Sequence, residues 1–267
     1  MASTMVEPGT ITAELPPDGE DWAAGRLVLP GGILDNHGQC FKTVLVRELT
    51  GQDEELLADR RYRNAAHQVT DFLSQVLLEV PGLNKPVSPD LAAEMLIGDR
   101  DYILLRLRQI ALGDRVEQVL RCPAPACGQK ADVEFMISEL RIRRVATVQP
   151  EYQFEFSAAP RKGDPASTLA VLRLPTGRDL EAILDCKDVN PALANTKLFA
   201  RILKKLGRAR IDEEVAREIP LKLRQELTAF LRQITPGPEL NVEIQCPHCG
   251  ADMSYPFDLY GFFLPNG

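Results

Sequence analysis

The sequence predicts an α+β protein built twice over. Each half is a small antiparallel β-sheet with helices and a cysteine-tipped β-hairpin. Three observations predict it. Two cysteine pairs, in "RCPAPACGQKADVEF" from Arg121 and "QCPHCGADMSYPF" from Gln245, share the order Cys-Pro, Cys-Gly, then a short run reaching Phe. Sliding the chain by the 124 residues that separate Cys122 from Cys246 lays "LRQI" at Leu107–Ile110 on "LRQI" at Leu231–Ile234. Further upstream the offset is 126, and Arg47, Thr50, Gly51, Asp53, Glu55 and Asp59 fall on Arg173, Thr176, Gly177, Asp179, Glu181 and Asp185. Matches in one order, needing only two-residue slips, mark a tandem duplication.

The halves are expected at 26–143 and 151–267, joined by a linker over 144–150. Residues 1–25 stand outside the repeat as an N-terminal arm, whose acidic, Pro-rich start has the composition of a disordered segment. In the first half "GRLVLP" and "FKTVLVREL" are rich in β-branched residues and read as strands, with turn residues in "GGILDNHGQ" between them. Thr50-Gly51 opens a helix whose first turn carries Asp53 to Glu55, where the positive end of the helix dipole favours them; it is expected to run to about Glu79. Ser88 caps the next helix with Pro89 in its first turn, Gly98 breaks it, and Asp99 is placed to cap the one after. In the second half Leu223, Leu227, Phe230, Leu231 and Ile234 mark one buried helical face. A strand, the cysteine turn and a second strand then close each half, so the cysteines sit at hairpin tips.

Composition limits what these hairpins can be. Six cysteines in 267 residues are too few for a disulfide scaffold. The N-terminus has no basic and apolar signal segment, and no apolar run is long enough to span a bilayer, so a reducing cytoplasm and no membrane partner are expected. There, paired cysteines bind metal more often than each other. A structural zinc site takes four ligands in a tetrahedron, and each hairpin supplies two. The reading is therefore two zinc knuckles sharing one structural Zn2+ per chain, held by Cys122, Cys127, Cys246 and Cys249. Closure between chains stays open, but the covalent link favours closure within one. A structural zinc contributes about 10–16 kcal/mol, against a few kcal/mol for closing the long loop between the knuckles. His248 stands between two cysteines and is an alternative ligand; Cys40 and Cys186 have no counterparts and read as small core residues.

Catalysis is not expected. Four thiolates leave no open position for substrate, the three histidines sit in no HExxH or nucleophile–His pattern, and no phosphate-binding glycine motif is present. Arg47 and Arg173 are placed to pair with Asp53 and Asp179, a structural use. A net charge of −7 and few aromatics argue against nucleic acid, for which the local strip "RIRRV" (Arg141–Val145) is the counter-signal; that strip otherwise reads as a solvated strand or linker.

The run "LAAEMLIGDRDYILLRLRQIALGDRVEQVLRCPAPACGQKADVEF", with "LTGQDEELL" upstream and "FMISEL" after the hairpin, resembles the T4-type baseplate hub assembly chaperone family. The resemblance covers about Leu29 to Ile142. The second half shows "LPTGRDLEAIL" but "PLKLRQE" in place of the GDRDY segment, so any role of Asp99, Arg100, Asp101 and Tyr102 is expected in the first half only. The duplicated form is similar to members found with phage tail-like contractile injection systems. The resemblance implies a non-enzymatic structural or assembly role with baseplate or hub proteins as partners. A zinc-ribbon nucleic-acid binder or adaptor is the competing reading.

Overall fold

The structure is a computed structural model, and it describes residues 20–160, 168–187, 189–257 and 259. Of the arm expected over residues 1–25, residues 1–19 lie outside the described residues. Strands β1 (Arg26–Leu34) and β2 (Cys40–Val46) form a hairpin, followed by α1 (Gly51–Leu57), α2 (Ala65–Val76) and β3 (Leu77–Glu79). These three strands make an antiparallel sheet in the order β1-β2-β3. Helices α3 (Pro89–Glu94) and α4 (Ile97–Leu112) cross behind it, and the hairpin β4 (Arg115–Arg121) and β5 (Lys130–Met136) follows. After a short 3₁₀ turn comes β6 (Ile142–Arg143).

The order then recurs. Strands β7 (Tyr152–Glu155) and β8 (Leu169–Leu172), helices α5 (Gly177–Lys187) and α6 (Pro191–Ile202), and strands β9 (Leu203–Leu206) and β10 (Ala209–Arg210) form a sheet ordered β10-β9-β8-β7 with its helices. Helices α7 (Glu213–Glu218) and α8 (Leu221–Ile234) lead through β11 (Gly237–Pro238) to a second hairpin, β12 (Asn241–Gln245) and β13 (Asp252–Pro256). The fold is thus mixed α+β, with several small antiparallel sheets and eight α-helices among the described residues.

Each sheet packs its own helices over its own core. Leu27, Val44, Phe72, Leu73 and Ile103 centre the first, and Leu172, Phe199, Ile202, Leu223 and Leu227 the second. The cores are not sealed from each other. Phe257 and Leu259, from the end of the chain, lie in the first core, and Phe257 meets Phe135 edge-on at 5.3 Å. Strand β11 pairs with β6, Gly237 opposite Arg143, so the two halves also share a strand pair.

Three local expectations are corrected. The helix from Thr50 does not run to Glu79. It stops at Leu57, Asp59 turns back to accept from the N–H and guanidinium of Arg61, and Asn64 caps a separate helix through the amides of Ala66 and His67. Gly98 does not break a helix. The break is at Met95 and Leu96, both extended, because Leu96 forms an isolated antiparallel bridge with Thr176 of the second half. The "RIRRV" strip is only partly solvated: Arg141 is exposed, but the next four residues are half-buried. Arg143 pairs with Glu239, and Arg144 donates to Val28 O and the Tyr102 hydroxyl.

Candidate metal centre and the joint between the halves

The strands of each hairpin fix where its cysteines point. In the first, Arg121 stands opposite Lys130, so 122–129 form the tip; in the second, Gln245 stands opposite Asp252. Gly128 and Gly250, each following the second cysteine, take φ of 59° and 71°, which a side chain would strain. That turn aims backbone amides at sulfur. The Ala124 N–H points at Cys122, those of His248 and Cys249 at Cys246, and that of Ala251 at Cys249.

The two tips meet. The Sγ atoms of Cys122, Cys127, Cys246 and Cys249 all lie within 4.8 Å of one another. Cys122 is 3.7 Å from Cys249, and Cys127 is 3.9 Å from Cys246. Four thiolates around zinc at Zn–S about 2.3 Å would stand about 3.8 Å apart, so the sulfur set fits a tetrahedral thiophilic ion. Both close contacts run between halves, and exchanging the halves turns one into the other. Cys122 and Cys246 are buried, with Ala131, Val133 and Met253 packed around them. Burial alone pushes the Cys246 thiol up, but the His248 and Cys249 amides and the Cys122 thiol outweigh it and bring it down to about 6. Cys122 moves the other way: the Ala124 amide pulls its thiol down, but burial and the neighbouring sulfurs push it up to about 12, and Cys249 is raised too, as close thiols share their protons. His248 turns away: its Nε2 is 3.1 Å from the Lys130 carbonyl. Cys40 lies near the Gly31 carbonyl and Cys186 donates to Ile183 O, both half-buried and apart from the four.

A second arrangement was only partly visible in the sequence. Residues 98–102, the GDRDY segment, build the joint. Gly98 lies against Pro236 and Gly237: a Cβ on Gly98 would stand 1.9 Å from Pro236 O. The Asp99 carboxylate accepts the N–H groups of Gly31 at 2.7 Å and Gly32 at 2.8 Å, inside the irregular stretch of β1. It therefore does not cap its helix, as expected, but ties α4 to the sheet. Burial pushes this carboxyl up to about 6, against the pull of those amides and of Lys42 and Arg144. Arg100, fully buried, donates to Ala92 O and Ala66 O and lies beneath Gly177, where an added Cβ would be 1.6 Å from its Nη1. Tyr102 gathers Glu20, Arg106 and Arg144 around its hydroxyl. Glu20 and Trp22 thereby bind the chain just before β1 onto the first half.

Bonding recurs between the halves more fully than the sequence pattern implied. Arg47 grips Asp53 at 2.7 Å through both nitrogens, and Arg173 grips Asp179 at 2.6 and 2.8 Å. Thr50 and Thr176 each bond the neighbouring carboxylate through N–H and hydroxyl. Asn64 and Asn190 cap α2 and α6. Arg100 reaches Ala92 O and Ala66 O; Arg224 reaches Ala216 O and Ala192 O. The Arg100–Arg224 match was missed because "PLKLRQE" shares only its arginine with "IGDRDY". The signal was present in the 124-residue offset itself.

A family model described as T4 bacteriophage base plate protein matches residues 33–264. No curated protein and no solved structure matches the chain.

Proposed function

The chain belongs to the T4 bacteriophage base plate protein family, and from that membership we propose that it is a non-enzymatic, zinc-stabilised structural or assembly component of the baseplate of a phage tail-like contractile injection system. The observation that carries the reading is the extent of the match. It runs across both cysteine hairpins and the joint between them. Its partners are then other baseplate or hub proteins, met while it is made in the cytoplasm. No described helix is long and apolar enough to cross a membrane.

Zinc is the metal the centre favours. Four sulfurs within 4.8 Å of one another, two of their contacts at the spacing a tetrahedral site needs, suit it, and amides directed at sulfur support thiolates. Cys122, Cys127, Cys246 and Cys249 would hold the ion, and it would supply a cross-link between the halves rather than an open coordination site. The recurrent bonding supports a duplication with halves at 26–143 and 151–267. A structural role is supported by where the charged groups stand. Asp99, Arg100 and Asp179 are buried and bonded inside the protein. The nucleic-acid reading loses its main support, since Arg143 and Arg144 of the basic strip are engaged internally.

Affinity purification of assembling particles from cells that make this chain tests the role. The chain is expected among baseplate proteins, and its deletion is expected to stop sheathed particles forming. Normal yield of firing-competent particles without it would refute the proposal. Metal analysis of the pure protein is expected to give about one zinc per chain, as one shared four-cysteine site requires.

A further inference from the structure

Away from the cysteine tips, the described helices of the two halves meet in one direction. The end of α3 and start of α4 in the first half receive the Thr176–Gly177 turn and helix α5 of the second. Ile97 N donates to Pro175 O at 3.2 Å, Gly177 N donates to Met95 O at 3.0 Å, and Arg178 pairs with Asp90. Asn64 donates to Glu181 O and to the Asp185 carboxylate, and Thr70 bonds the Glu181 carboxylate. A two-fold arrangement of the bodies would repeat this, with α7 and α8 receiving the Thr50–Gly51 turn and α1. That contact is not made: α1 packs against α2 and has no comparable contact with α6, α7 or α8.

The protein therefore keeps one unused copy of each side of its own joint. The donor side is the Thr50–Gly51 turn. Gly51 is exposed with nothing within 4 Å of an added Cβ, whereas Gly177 is buried on Arg100. Glu55 is exposed where its counterpart Glu181 is enclosed. The acceptor side is the α7–α8 junction. Leu221 is 80% exposed, whereas Ile97, at the same place in the first half, is half-buried by the joint. Behind it Arg224 and Thr196 hold the positions and bonds of Arg100 and Thr70. At the inner joint Leu96 and Leu174 share an apolar cluster; Pro220 and Glu48 stand in their places, with Lys222 two residues from Pro220. The outer contact thus offers opposite charges where the inner one offers hydrocarbon.

We propose that a second copy of this chain docks head to tail on these surfaces, its Thr50–Gly51 turn and α1 seating on the Ile219–Leu221 junction and Arg224 of the first. A contact between two different surfaces leaves one of each free, so it continues into a ring or a chain rather than stopping by symmetry. The inference rests on the duplication reading, since the outer surfaces are matched by their place in the repeat.

Analytical ultracentrifugation of the full chain, up to about 1 mM where a contact of millimolar Kd is populated to about two-fifths, tests it. Two variants block one side each without touching the interior. Gly51→Trp fills open space, and Leu221→Asp places an acid at an exposed helix start. The native chain is expected to gain mass with concentration and each variant alone to stay monomeric. An equal mixture of the two is expected to form dimers and stop there, because one free donor meets one free acceptor. A native chain that stays monomeric throughout overturns the proposal, as does self-association that survives in either variant alone. Co-purification with particle proteins is scored separately. A chain that enters particles but never self-associates defeats only this inference, and one that self-associates but enters no particle defeats only the assembly role.

Discussion

Asp179 has no exposed surface, and its two oxygens take guanidinium contacts from Arg173 and Arg201 together with the Thr176 amide. Burial pushes its carboxyl up, but those partners outweigh it and hold the pKa below the ordinary 3.8. The folded state thus binds the proton more weakly than the unfolded chain. The stabilisation is complete above about pH 4 and lost as pH falls through the folded value. Asp179→Asn is expected to destabilise by about 1–2 kcal/mol at pH 7, because the buried carboxylate loses the charge that holds two part-exposed guanidinium groups, whose contacts solvent partly screens. Urea melts at descending pH should show that difference shrinking toward zero below pH 4; a pH-independent gap would mean the carboxylate's charge is not what matters. Glycine placement gives a paired test. Gly51 and Gly177 both open helices, yet Gly177→Ala drives a Cβ to 1.6 Å from Arg100 and is expected to cost about 1–3 kcal/mol. Gly51→Ala meets nothing and should be neutral or stabilising by up to about 1 kcal/mol. Thermal melts of the two variants decide it.

Among elements, the hairpins β4–β5 and β12–β13 are the least self-sufficient. Two-stranded ribbons are marginal alone, and between these tips lie mainly the four cysteines with Ala131, Val133 and Met253. Cys122→Ser or Cys246→Ser is each expected to remove most of the bound zinc and lower the unfolding midpoint sharply, as read by metal analysis and calorimetry. Retention of full zinc in either variant would break the four-cysteine assignment. These hairpins were readable in the sequence because strand alternation, Cys-Pro and Cys-Gly are local signals, and so were the Arg47–Asp53 and Arg173–Asp179 pairs. Other features were not local. A break between these two helices was expected at Gly98; its place at Met95 and Leu96 was not, since Leu96 bridges Thr176, 80 residues away. Likewise Gly98 looks like a helix breaker until Pro236 and Gly237 are seen against it. The long helix expected from Thr50 failed because Asp59 and Asn64 prefer turn and cap roles, a competition that apolar periodicity does not weigh.

For the whole molecule, the joint and the metal centre hold the same two bodies from different ends. Phe257 and Leu259 sit in the first core, Arg143 pairs beside Gly237, and Arg100 needs Gly177 above it. Residues 26–150 and 151–267 expressed apart are therefore expected to be unfolded or to aggregate. Expressed together with zinc, they should recombine. The intact chain should melt in one transition by circular dichroism and tryptophan fluorescence; two separated transitions would show the halves to be independent. The pairing of Cys122 with Cys249 and Cys127 with Cys246 also sets a schedule. Chains emerge from the ribosome at about 5–20 residues per second, so the 122 residues between Cys127 and Cys249 take roughly 6–25 s to appear. For that interval the first thiol pair waits with no sulfur partner to share an ion. On the proposed shared site, a chain cut short anywhere before Cys249 lacks the fourth thiolate, and prematurely terminated products are expected to be more open to proteolysis than finished ones.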